Sequence, residues 1–164
     1  MTTSDGPAPR PDPLDTSLLF EVFALNQAVG RFLAEAMADG PLTPAEYAVH
    51  SAVFELESAT PTALAARLGM RLTTFMDQLR LMEARGHARR MPNPRDGRSQ
   101  LITLTAAGLE AHRAANRLFE AAYLTYIAEL GADEGSARHA LGILRAAAER
   151  ALGLSPRRTA GRAG

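Results

Sequence analysis

The chain has 164 residues, enough for one sizeable core or for a compact module with added dimerisation helices. It contains no cysteine, which excludes disulfides, thiolate metal sites and thiol-based redox sensing. No apolar run nears the roughly 20 residues of a membrane span, and the N-terminus lacks the basic-then-apolar order of a signal peptide. A soluble cytoplasmic protein without a membrane partner is expected. The net charge of zero hides an uneven distribution. Two arginines oppose nine acids in residues 1–66 (−7), eight oppose three in 67–98 (+5), and eight oppose six in 99–164 (+2). The positive charge therefore gathers in one short stretch, the pattern of a local footprint for phosphates.

Residues 1–12 are polar and proline-rich and read as a disordered arm. Asp12-Pro13 then offers an N-cap followed by proline in the first turn of a helix. Leu14, Leu18, Val22, Leu25, Val29, Phe32 and Leu33 recur at helical spacing to about Asp39, where Gly40 ends the run. Thr43-Pro44-Ala45-Glu46 has the form of a capping box with proline at N1 and predicts a second helix to about Glu57. Thr60-Pro61 opens a short third helix closed by Gly69, with Leu64, Ala65 and Leu68 on its buried face. A fourth, from Leu72 to Arg85, places Phe75, Leu79 and Met82 inward and stops at Gly86.

Ala88–Met91 and Gln100–Leu104 read as two strands. Between them lies Pro-Asn-Pro-Arg-Asp-Gly-Arg-Ser, a loop longer and more basic than a simple turn requires. Thr105 caps a long fifth helix to Leu130, Gly131 ends it, and Asp133 caps a sixth helix to about Leu152. There is no internal repeat. The expected architecture is mainly α with a small β-hairpin wing: a winged helix-turn-helix at 41–104, between an N-terminal dimerisation helix at 13–40 and C-terminal dimerisation helices at 105–153. A disordered tail, 154–164, would follow.

Such a unit binds double-stranded DNA by placing one helix in the major groove and the basic loop against the backbone or minor groove. The outer face of the fourth helix presents Thr73, Thr74, Asp77, Gln78 and Leu81. Threonine and glutamine hydrogen-bond base edges, and glutamine suits the N6/N7 edge of adenine. Asp77 can accept from cytosine N4 but is repelled by phosphates. Arg71, Arg80, Arg89 and Arg90 are candidates for phosphate contacts that set register. In the loop, Asp96 and Arg98 stand two apart, so an ion pair between them would aim the arginine into a narrow minor groove, with Arg95 supporting it. The bland readings are a solvated helix face and an exposed turn salt bridge of about 0–1 kcal/mol.

At this point the chain resembles the MarR (multiple antibiotic resistance regulator) family of bacterial transcription factors. The matching pieces are LTPAEYAV at the second helix, LAARLGM in the turn, LRLMEARGHARR at the end of the fourth helix, and NPRDGRSQLITLTAAG in the wing. The resemblance implies a homodimer in which helices one, five and six of both chains interlock. It further implies a pseudo-palindromic operator and a repressor released by a small, often phenolic or anionic, effector. It places Arg98 as the wing arginine with Asp96 as its partner, and Thr73, Thr74, Asp77 and Gln78 on the recognition face. Many members carry Thr-Arg where this chain has Met76-Asp77, helix two often has leucine where this one has His50, and the oxidant-sensing branch has a cysteine that is missing here.

Apart from the resemblance, Leu109, Leu118, Phe119, Tyr123, Tyr126, Ile127 and Leu130, with Leu141, Leu144 and Leu152, form more apolar helix surface than one wing domain covers, which suits paired helices. Tyr47 and His50, one turn apart, are candidates either for a ligand pocket beneath the first helix or for core packing. Asn26, on an otherwise apolar face, suits a buried dimer hydrogen bond or a ligand contact. The four histidines lack i,i+3 or i,i+4 spacing, so no metal site is expected, nor any cofactor. No nucleophile triad or glycine-rich phosphate loop stands in context, so an enzyme is not expected. Two rivals remain: a winged-helix module whose arginines meet an acidic protein, which would bind DNA weakly and without half-site spacing, and a constitutive DNA binder without an effector.

Overall fold

The computed structural model describes residues 17–153, in two compact units that divide between Ala122 and Tyr123. The chain runs α1 (Leu18–Ala36), α2 (Pro44–Glu55), α3 (Pro61–Arg67), α4 (Leu72–Ala84), β1 (Ala88–Pro92), β2 (Gln100–Leu104), α5 (Ala106–Leu130) and α6 (Glu134–Ala151). Among the described residues six α-helices and an antiparallel hairpin make a winged helix-turn-helix with flanking helices, the expected fold class.

Local chemistry accounts for most boundaries. Thr43 Oγ1 accepts the Glu46 amide at 3.3 Å while Glu46 Oε2 accepts the Thr43 amide at 2.9 Å, a complete capping box at the start of α2. Thr60 Oγ1 accepts the Ala63 amide and opens α3. Thr105 Oγ1 accepts the Gly108 amide at 3.1 Å and donates to the Gly86 carbonyl at 2.6 Å. One hydroxyl thus starts α5 and ties it to the end of α4. Gly69 and Gly86 stand at φ +64° and +70°, the left-handed conformation that ends α3 and α4.

Three expectations shift. The proposed start at Asp12-Pro13 lies outside the described residues; α1 is seen from its N-cap Ser17 and stops at Ala36, before Asp39. The second helix ends at Glu55 because Glu57 turns to a positive φ of 54°. Asp133 makes no side-chain cap bond for α6, since Gly131–Asp133 form a 3-10 turn that leads directly into it.

In the first unit the main core lies between α2, α3, α4 and the hairpin. It contains Val49, Val53, Leu64, Phe75, Leu79, Met82 and Ile102, with the last fully enclosed. Full burial of such side chains contributes about 1.5–3 kcal/mol each, so this cluster fixes the position of α4 relative to the hairpin. The hairpin pairs Ala88 with Leu104 and Pro92 with Gln100, and the Ile102 amide donates to the Ala59 carbonyl at 2.9 Å, fastening β2 to the loop before α3. A second cluster of Met37, Leu42, Tyr47, Ala111 and Ala115 has Leu118 and Phe119 packed against it. Leu118 and Phe119, expected in a paired-helix interface, are therefore half-buried within one chain.

The first unit also bears α1, which has no buried residue and exposes Leu18, Leu19, Phe20, Val22, Phe23 and Leu25. In the second unit, the Tyr123 hydroxyl donates to Glu134 Oε1 at 3.1 Å and Arg138 Nη2 donates to the same oxygen at 2.7 Å. Here too α6 buries nothing, leaving Leu141 and Ile143 exposed. No described helix is long and apolar enough to cross a membrane.

Candidate nucleic-acid interface

Helix α4 follows α3 through the turn at Leu68-Gly69-Met70, and its inner residues Phe75, Leu79 and Met82 enter the core. Helical periodicity then turns Thr73, Thr74 and Asp77 outward, all three exposed. Gln78 differs from expectation: it is half-buried in a narrow crevice with Glu46, Val49, His50 and Arg85. Arg71 occupies the N-cap and supplies no side-chain acceptor, so the first amides of α4 are left to water or an anion.

The eight arginines of the basic segment separate into two groups. Arg67 pairs with Glu55 at 2.8 Å, Arg80 with Asp77, Arg85 with Glu46 at 2.9 Å, and Arg90 with Glu83 at 2.6 Å. Among the described residues Arg71, Arg89, Arg95 and Arg98 form no ion pair, and Arg89 reaches only the Thr103 hydroxyl, at 3.4 Å. Asp77, considered above as a base reader, instead holds Arg80 one turn away on an exposed face. Glu83 passed unnoticed in the sequence. Its partner Arg90 lies seven residues on, across a helix end, where no periodic rule connects them.

The wing tip is a built turn. Asn93 Oδ1 accepts the Arg95 amide at 3.0 Å, Asn93 Nδ2 donates to Ser99 Oγ at 2.8 Å, and the Ser99 amide returns to the Asp96 carbonyl. The Asp96 carboxylate accepts the backbone amide of Arg98 at 3.1 Å. The expected Asp96–Arg98 ion pair is therefore replaced by an Asx-type bond to the main chain, which folds the tip and leaves the Arg98 guanidinium free. Arg95, Asp96 and Arg98 are all exposed.

The proposed pocket residues are not gathered together. Tyr47 lies at the edge of a groove of about 350 Å³ whose lining includes Leu33, Ser51, Glu55, Arg67, Leu68 and Phe119. The Tyr47 hydroxyl donates to Asn116 Oδ1 at 2.6 Å, and its ring stacks on His112 and leans on Phe119. His50 is 1% exposed and does not line that groove. Its Nδ1 donates to the Glu46 carbonyl at 2.8 Å, which leaves Nε2 to accept from His87 Nδ1 at 3.1 Å. Burial holds the His50 imidazole below its ordinary pKa, and it does the same for His112. Asn26 is exposed on α1. Among the described residues no three His, Asp or Glu side chains gather into a metal-binding group.

This geometry has close counterparts. No family model matches the chain. The HTH-type transcriptional regulator TtmR of Methylorubrum extorquens (strain PA1) is 34% identical over 98 residues, which span 60% of this chain and 50% of that protein. The chain thus spans half the length of this curated relative. The structure of MosR from M. tuberculosis in complex with DNA aligns at a TM-score of 0.73 and 25% identity, over 83% of this chain and 98% of that one. A cysteine-to-serine mutant of E. coli MarR complexed with operator DNA aligns at 0.64 and 25% identity, over 77% of this chain and 96% of that one. The fold is that of the MarR-type winged-helix regulators, which the chain resembles in both sequence and structure.

Proposed function

We propose that the chain is a homodimeric, sequence-specific DNA-binding regulator of transcription, acting as a repressor of neighbouring genes that a small ligand releases. The observation that carries this reading is the set of arginines without an ion pair among the described residues, Arg71 at the start of α4, Arg89 on β1 and Arg95 and Arg98 in the wing loop, together with the exposed Thr73 and Thr74 of α4. Phosphate contacts from the arginines would set register, while Thr73 and Thr74 would meet base edges. The turn that Asp96 closes fixes the backbone from which the free Arg98 guanidinium would reach a narrow minor groove, where the negative potential is strongest. The uncapped start of α4 offers amides to a phosphate.

The apolar faces of α1 and α6 supply what a second copy would cover, and a two-fold dimer would set two recognition helices about one DNA turn apart. For the effector, the groove beside Tyr47 is the best candidate. Arg67 stands at it, paired with Glu55, and α3 carries Arg67 into the helix-turn-helix. A ligand seated there would press on the helix that braces α4.

A gel-shift titration of the purified protein on DNA flanking its own gene tests the reading. A discrete complex that withstands bulk competitor DNA, and that a screened small molecule dissolves, is expected. Smearing, sequence-indifferent retention would favour an acidic protein as the partner instead.

A further inference from the structure

Of the residues that sequence reasoning passed over, Glu83 has the most specific geometry. Arg90 Nε donates to Glu83 Oε1 at 2.6 Å and Nη2 donates to Oε2 at 3.1 Å, a two-pronged contact that matches the fork of the guanidinium to the carboxylate. Arg90 Nη1 also reaches Gln100 Oε1 at 3.5 Å, so the clasp joins α4, β1 and β2. The side chains are 32% and 29% exposed, less than those of most other pairs in this chain.

The pleat explains the arrangement. Successive residues of a strand point to opposite faces. Ala88 is buried, and Arg90, two residues on and directly opposite the buried Ile102, shares its inner face toward α4. Arg89 points to the outer face, where it meets only Thr103. Two adjacent arginines that look equivalent in sequence therefore have opposite settings. The hydrogen bonds from the Arg90 guanidinium lower the Glu83 pKa from its ordinary value, which favours the charged carboxylate of the pair.

We propose that Glu83 is a positioning residue: it withholds Arg90 from the DNA backbone and locks the wing at a fixed angle to the recognition helix. This rests on the DNA-binding reading above. Its consequence is restraint. With Arg90 engaged, the interface counts one phosphate contact fewer per chain, and indiscriminate binding is weaker than the charge of the segment would allow.

The test compares the full-length wild type with Glu83→Gln, Arg90→Gln and the double variant, on operator and on random-sequence duplex, across a salt series. Each phosphate contact adds about 0.9 to the slope of log K against log salt. Glu83→Gln should steepen the slope by about that much per chain and tighten binding to random DNA several-fold. Arg90→Gln should leave the slope at the wild-type value, and the double variant should return to it. An unchanged slope in Glu83→Gln, or a flatter one in Arg90→Gln, would overturn the proposal. A DNA-free readout separates this from failure of the functional reading. The Arg90 Nε–H resonance should exchange slowly in the wild type and rapidly in Glu83→Gln. Rapid exchange in the wild type would dismiss the clasp itself, whereas slow exchange in a protein that ignores DNA would dismiss the assigned partner.

Discussion

A methyl group on Gly108 would lie 2.0 Å from the His87 carbonyl oxygen, far inside any tolerable contact. The first turn of α5 passes this close because Thr105 holds it against Gly86, and the Thr105 amide donates to that same His87 carbonyl. Gly108→Ala should therefore cost about 1–3 kcal/mol in denaturant unfolding, the usual penalty for overpacking, and a neutral result would mean that the wing root yields easily. Arg98 is the opposite case, a side chain without partners among the described residues. Arg98→Ala should leave unfolding unchanged and weaken operator binding by about 1–3 kcal/mol, measured by fluorescence anisotropy. Equal affinity would remove the wing tip from the interface.

At the scale of elements, α2 is joined to the wing root through His50 and His87, and α5 brings His112 against Tyr47 and Phe54. His112 Nδ1 is buried without a hydrogen-bond partner, which suits the neutral ring with a bare lone pair. Both imidazoles have depressed folded pKa values through burial, so the folded chain binds fewer protons than the unfolded one. Stability is then full above the ordinary value of 6.5 and falls as acid protonates the unfolded state. Thermal unfolding should show a lower Tm at pH 5.5 than at 7.5, less so in His50→Gln; a Tm independent of pH over that span would contradict the buried neutral pair. Glu83, depressed by Arg90, contributes only nearer its ordinary value of 4.5.

Elements fixed by their neighbours in sequence were legible without coordinates. The Thr43–Glu46 box, the Thr60 and Thr105 caps, and the glycine stops at Gly69 and Gly86 each depend on residues no more than a few positions apart. What escaped were pairings set by how elements pack. Glu83 with Arg90 and His50 with His87 are joined only once α4, α2 and the hairpin share a core. Asp96 misled because its spacing to Arg98 fits an ion pair and an Asx turn equally well, and the turn has the shorter reach. Periodicity marked Leu118 and Phe119 as apolar helix surface, yet nothing local could say that Met37, Leu42 and Tyr47 of the same chain would cover them.

Across the whole molecule, the unpaired charge and the uncovered apolar surface make separate predictions. Leu19 and Phe23 lie one turn apart on α1 and are 79% and 59% exposed, so charges placed there would face mostly solvent among the described residues of one chain. Leu19→Glu with Phe23→Glu should yield a folded monomer in sedimentation, with operator affinity much reduced; a dimer of undiminished affinity would exclude α1 from the interface. The four arginines of the basic segment that lack an ion pair, Arg71, Arg89, Arg95 and Arg98, become eight in a dimer, for a salt slope of about −7 if all engage phosphate. The central claim, that α4 and the wing of two chains read one DNA site, is tested most directly by selecting bound sequences from a random duplex library with the purified full-length protein. The account predicts enrichment of a pseudo-palindrome whose half-sites are centred about 10 base pairs apart. A bound pool with no enriched motif, or a single unpaired half-site, would contradict it.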